Sequence, residues 1–177
     1  ADDQWNWTTL DAHVALAQAK GVQDITLVLA GSPRWAAQRT SADDAPWLGP
    51  GSASPPRDLA EWQEFITTVV SRYAGRISTY EIGNEPNLTW FWNGTPAEYA
   101  QLVTVAASAI RQADPAATVV VDGGLLRSQQ DLPALRTWLG PVAGNPDIDA
   151  VSIHVYPQSW ARSRVDRLLQ AASRELD

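Results

Sequence analysis

Two hydrophobic periods alternate along this chain, and that alternation limits its fold more than any other property. Leu10, Val14 and Ala17 recur at helical spacing between Thr8 and Lys20, and Gly21 stops that helix. Asp24 to Ala30 is then a near-continuous apolar run, the mark of a strand covered on both faces. Asp58 caps a second helix with a stripe of Leu59, Trp62, Phe65, Ile66, Val69 and Tyr73 before Gly75. Ile77 to Gly83 reads as the next strand. Thr95-Pro96-Ala97-Glu98 is a capping box with proline in the first turn, opening a helix that Asp114-Pro115 ends. A third strand is predicted over Thr118 to Asp122, a short helix over Asp131 to Leu139, a fourth strand over Asp149 to Val155, and a closing helix over Ala161 to Leu176. Strands that alternate with helices imply parallel βαβ crossovers and an α/β fold. The segments after the strands are long (Gly31 to Arg57, Asn84 to Gly94, Gly123 to Gln130), and those before them are mostly short. In barrels and in open α/β sheets alike, sites gather at the C-terminal strand ends.

Composition excludes several partners. The net charge is −7 and no basic stripe is present, which argues against a nucleic acid. No apolar run approaches the ~20 residues of a membrane helix. Ala1 and the acidic pair Asp2 and Asp3 do not resemble a signal peptide. The absence of Met, even at position 1, predicts a processed or excised piece, and the absence of Cys removes disulfides and thiolate metal sites. With two histidines in separate elements, no metal or other cofactor is expected. Nine Trp are more informative, because Trp often stacks on ligands; two or three are expected to line a site and the rest to pack.

The strongest motif is Tyr80-Glu81-Ile82-Gly83-Asn84-Glu85-Pro86-Asn87, at a predicted strand's C-terminal end. Pro86 cannot continue a ladder, so Glu85 is left at the rim. Asn84-Glu85-Pro86 resembles the acid/base motif of the clan of retaining glycoside hydrolases that includes the family 5 cellulases and the family 39 xylosidases. The longer run YEIGNEPNLTWFW resembles the family 39 form, usually written with Trp where this chain has Gly83, a departure that leaves a small residue near the site. DAVSIHVYP, Asp149 to Pro157, resembles the clan's sixth barrel strand, with His154 and Tyr156 in its His-x-Tyr pattern and on one face of the strand. LVLAGSPRWA resembles the third strand, with Trp35 near the sugar. The resemblance implies a (β/α)8 barrel, present as about strands three to six in one partial domain over residues 1–177, with an oligo- or polysaccharide as its partner. It also implies that Glu85 is the acid/base. Asn84 is expected to bind substrate with His154, Tyr156 and Trp35. Trp90 and Trp92, on the following loop, are candidate sugar platforms. Secretion is expected from that function.

Glycoside hydrolysis needs two carboxyls, about 5–5.5 Å apart for retention and about 6.5–9.5 Å for inversion. Glu81 shares a strand with Glu85, but four strand residues span roughly 13 Å, which exceeds both spacings, so Glu81 is assigned an inward structural role. Asp122 ends the neighbouring predicted strand and reads first as a turn residue before Gly123-Gly124. By the resemblance, the nucleophile is a Glu at the end of strand seven, beyond this chain. Asn6-Trp7-Thr8, Asn87-Leu88-Thr89 and Asn93-Gly94-Thr95 match the glycosylation pattern and are read as coincidence. Two rival functions stay open: a non-catalytic sugar-binding module or pseudoenzyme on the same scaffold, and an open α/β nucleotide-binding domain. Neither G-x-G-x-x-G nor a Walker sequence supports the latter.

Overall fold

The computed structural model describes residues 4–40, 44–156 and 162–176. In chain order the elements are α1 (Thr8–Ala19), β1 (Thr26–Leu29), α2 (Leu59–Tyr73), β2 (Thr79–Ile82), α3 (Pro96–Ala113), β3 (Thr118–Leu126), α4 (Leu132–Leu139), β4 (Ala150–Val155) and α5 (Arg162–Leu176). Short 3₁₀ turns precede and follow α4. The four strands form one parallel sheet in the order β1-β2-β3-β4, which is also their order in the chain. A doubly wound sheet reverses its order at a switch point. This one does not, and its winding is that of a (β/α)8 barrel, four strands of which are present.

The parity of each strand decides which face the helices cover. Leu29, Ile82 and Val121 lie side by side in register and are buried, as are Tyr80 and Val119 one layer below. All five join Trp62, Ile66, Val70, Tyr73, Val103, Ala106 and Ile110 of α2 and α3 in one apolar cluster. Fully burying a side chain of this size contributes about 1.5–3 kcal/mol. The opposite parity carries Val28, Glu81, Val120 and Ala150. Val28 is exposed, so the expectation that β1 is covered on both faces fails. Its apolar run fits a strand whose second face a closed ring would turn inward, and that face is open here.

The helices form where caps and stripes direct. Asp58 accepts the Ala60 N–H at the start of α2, and Thr95 and Glu98 complete both halves of the capping box of α3. The Trp62 indole donates to the Leu102 carbonyl across the buried α2–α3 contact at 3.1 Å. Asp11 of α1 accepts from the Tyr73 hydroxyl at 2.8 Å and from Arg72, fastening the first helix to the second.

One boundary differs in a way that bears on the site. β3 does not stop at Asp122 but runs through Gly123 and Gly124 to Leu126, with an irregular register against β4 between Asp122 and Leu125. Two glycines within a strand pattern mark a bulge as well as a turn. Gly124 adopts φ +107°, and a Cβ there would lie 2.8 Å from the Asn87 Cγ. The described residues of the long segment after β1 are also more firmly tied than its Ala, Ser, Pro and Gly content suggests. Asp44 accepts the Gly51 N–H at 2.7 Å, Ala37 and Pro56 form an antiparallel bridge, and the Asn93 N–H donates to the Ala53 carbonyl at 2.8 Å. The loops after β1 and β2 are thereby stitched together at the rim.

Candidate active site

Glu85 stands three residues past the end of β2, at the C-terminal edge of the sheet. It has φ +42°, the one positive value among the described residues other than glycine. A side chain in that region costs of order 1–3 kcal/mol and persists only where its surroundings dictate it. Two contacts do so. The Glu85 N–H donates to the carboxylate of Asp122. Asn87, two residues on, reaches β3 with both ends of its amide: Nδ2 donates to the Leu125 carbonyl and Oδ1 accepts the Leu125 N–H, each at 2.9 Å. The side chain thus replaces the backbone partner that β3 loses where β2 ends.

The Glu85 carboxylate meets β4. Its Oε1 lies 2.8 Å from Nδ1 of His154, a residue that follows Ser152 on the open face. One layer deeper, the Ser152 hydroxyl donates to Glu81. Glu81 therefore points inward and is held from β4, across β3, the structural role its spacing implies. Asp122 completes the group from β3. It is fully buried (0% exposed), accepts the Gly124 N–H at Oδ1 at 2.7 Å, and brings Oδ2 to 4.0 Å from His154 Nε2. Reading Asp122 as a turn residue is thus corrected. It lies within the strand and joins the turn of β2 to the bulge of β3.

These contacts set the local electrostatics. Burial disfavours charge on the His154 ring, but the Glu85 hydrogen bond and the charges of Asp122, Glu85 and Glu81 outweigh it, and the pKa lies above the ordinary histidine value. Burial raises the Asp122 pKa against the opposing pull of the two N–H groups it accepts and of His154. The donor atoms of Glu81, Asp122 and His154 lie within 4.8 Å of one another, a spacing a cation could bridge. Hydrogen bonds already account for the cluster: both Asp122 oxygens receive N–H groups, Glu81 receives Ser152, and the imidazole faces Glu85.

The remaining expected site residues divide. Asn84 is half-buried and shares a small cavity with Ser32, Gly83 and Trp92. Tyr156, just past β4, is exposed, and its N–H donates to the Leu126 carbonyl at 2.9 Å. Trp90 is 44% exposed and stands edge-on to Phe91. Trp35 is 59% exposed and lines a cleft of about 350 Å³ with Trp5, Pro56, Trp62 and Phe65, whose lining includes neither Glu85 nor His154. Trp92 is only 8% exposed; it packs edge-on against Tyr99 and donates to the Thr95 carbonyl at 3.3 Å, so little of its face is open to a sugar. The small residue at Gly83 leaves no open space. The Tyr99 ring fills the space, with Cε2 and Cζ 2.9 Å from where a Cβ would stand. The Tyr99 hydroxyl donates to the Asp122 and Ile82 carbonyls at 2.8 and 3.2 Å. Tyr99 and Ser152 were not singled out by the sequence, where nothing distinguishes them from packing or turn residues; Asn87 closes the motif, but its tie to β3 could not be read there.

The family model of the glycosyl hydrolases family 39 matches residues 4–176. A β-xylosidase of Caldicellulosiruptor saccharolyticus is 31% identical over 132 residues, which cover 70% of this chain and 26% of that protein. A β-xylosidase of Geobacillus stearothermophilus is 34% identical over 83 residues, 42% of this chain and 16% of that protein. The crystal structure of a monomeric β-xylosidase from Caulobacter crescentus CB15 superimposes with a TM-score of 0.69 at 22% identity, covering 97% of this chain and 38% of that one. The chain thus spans a minor part of the length of these relatives, and the residues matched by the family model include the carboxylates and the imidazole described above. The chain belongs to family 39 of the glycosyl hydrolases.

Proposed function

We propose that this chain carries the acid/base half of a retaining glycosidase acting on β-linked glycans, with β-xylosides the substrate class its relatives' names suggest. The observation that carries this reading is the 2.8 Å contact between Glu85 and His154 at the C-terminal rim of a parallel sheet, the position at which barrel enzymes do their chemistry. In the first step Glu85 gives its proton to the leaving glycosidic oxygen as a second carboxylate attacks the anomeric carbon. In the second step Glu85 takes a proton from the water that releases the sugar. His154 orients the Glu85 carboxyl between these roles. The nucleophile belongs to another part of the whole protein, because Glu81, the other carboxylate of the same strand, is held inward by Ser152. Trp90 and Trp35 offer exposed indole faces on which sugar rings can stack, and Asn84 and Tyr156 supply polar groups at the same rim.

The test uses the whole protein. Glu85→Gln is expected to lose at least ~10²-fold in turnover of an aryl β-glycoside with a poor leaving group, the usual scale of general acid catalysis. Wild-type turnover by that variant removes Glu85 from the chemistry. Release of the α-anomer as first product would exclude the retaining course.

A further inference from the structure

The strain at Glu85 and the burial of Asp122 have one explanation. Asp122 is a fully buried carboxylate in a strand of valines, a position at which an aliphatic side chain would cost nothing to desolvate. Its two oxygens do separate tasks. One accepts the Gly124 N–H at 2.7 Å and holds the bulge of β3; the other accepts the N–H of Glu85, the residue forced into the left-handed region. The Asp122 main chain is itself fixed, its carbonyl accepting the Tyr99 hydroxyl from α3 at 2.8 Å. The oxygen that holds Glu85 also lies 4.0 Å from His154 Nε2, on the far side of the ring from Glu85. The imidazole therefore lies between two carboxylates.

We propose that Asp122 is the positioning residue of the acid/base: it fixes the main chain of Glu85 so that its carboxyl meets His154, and its charge holds the His154 ring against that carboxyl. This rests on Glu85 being the acid/base as proposed above. Asp122 itself does not touch substrate; it acts through Glu85 and His154. The ionisable groups around the ring are Glu81 from β2, Glu85 from the turn after β2 and Asp122 from β3; among them Asp122 alone also holds the Glu85 main chain. Asparagine in its place keeps the shape and one acceptor, loses the charge, and presents an NH₂ to one of the two N–H donors.

The experiment compares Asp122→Asn and Glu85→Gln in the whole protein on aryl β-glycosides with good and poor leaving groups, across pH. Asp122→Asn is expected to lose on the order of 10²-fold in kcat/KM with the poor leaving group, the scale of a small misplacement of a catalytic group. Its kcat/KM with the good leaving group, which needs no proton, is expected to stay near wild type. The limb of the pH profile set by His154 should move to lower pH, because the ring loses a stabilising negative neighbour. Equal loss on both substrates with an unmoved pH profile would show Asp122 to be merely structural and overturn the proposal, as would wild-type behaviour on both. If Glu85→Gln is itself unimpaired, the acid/base reading has failed; if Glu85→Gln is impaired on the poor leaving group alone and Asp122→Asn is not, only the positioning role has failed. Should Asp122→Asn not fold, the unmutated protein labelled with ¹⁵N-glutamate decides. A Glu85 amide proton well downfield of the ordinary range, moving as a buried carboxyl titrates, supports the bond to Asp122, and one in the ordinary range overturns it.

Discussion

Gly83→Ala tests how tightly the floor of the site is built. Gly83 adopts φ +88°, and its missing side chain is the space that the Tyr99 ring occupies. An L-residue in the left-handed region costs about 1–2 kcal/mol. A methyl group forced within 2.9 Å of two ring carbons must displace a fully buried ring, and overpacking of this kind costs about 1–3 kcal/mol. If the ring moves, the hydroxyl bonds to Ile82 and Asp122 weaken as well, at about 0.5–1.5 kcal/mol each. The total is about 2–5 kcal/mol, since the ring cannot both stay under compression and lose its bonds. Urea unfolding of the wild type, Gly83→Ala, Tyr99→Phe and the double variant gives the cycle. Tyr99→Phe removes the nearest obstructing atom, so Gly83→Ala should cost at least about 1 kcal/mol less in that background, within the range seen for touching residues. A Gly83→Ala cost below about 1 kcal/mol, or strict additivity, would refute the argument that Tyr99 stands where a side chain at position 83 would go.

The two tryptophans of the rim loop should part company. Trp90→Ala is expected to weaken substrate binding by about 1 kcal/mol or more, read as a rise in KM, with little change in unfolding midpoint. Trp92→Ala should destabilise by about 3–5 kcal/mol through loss of its packing on Tyr99. Asp149 supplies a pH test. Its Oδ2 accepts the Val119 N–H at 2.8 Å and Arg111 at 2.7 Å, and the two together hold its pKa below the ordinary value, the backbone bond more than the guanidinium. A depressed carboxyl stabilises the fold above its unfolded pKa of about 3.9 and ceases to do so as pH falls through the folded value. The stability gap between wild type and Asp149→Asn should therefore be widest near neutrality and narrow as pH falls through the depressed folded pKa; a gap that widens on acidification would contradict the bond. Asp122 works in the opposite sense, since burial raises its pKa and acid relieves its cost.

Most of the scaffold could be read from residue order because its signals are local. The capping box at Thr95 and Glu98, the Asp58 cap and the apolar stripe of α2 depend on neighbours three or four residues away, and each forms as its pattern implies. Glu85 was legible because a proline after a strand pattern strands a carboxylate at a rim. What sequence could not show depends on distant partners. An Asp after three valines and before two glycines looks like the end of a strand until the Glu85 N–H, 37 residues away, is seen to need an acceptor. Trp90 and Trp92 are two residues apart and chemically alike, yet one faces water and the other Tyr99, which lies on the next helix. Gly83 reads only as a small residue near the site, and the fold alone reveals that an aromatic from α3 fills the space beside it.

The agreement between strand order in the sheet and strand order in the chain has a consequence for how the site is assembled. Glu85 from the turn after β2, Asp122 from within β3 and His154 from β4 come from three successive strand units, each beside the one made before it. No distant return of the polypeptide is needed to bring them together, and the penalty for closing large loops is kept small. The proton-handling cluster can thus take shape as these consecutive units dock, ahead of any event that joins the first strand of a ring to its last.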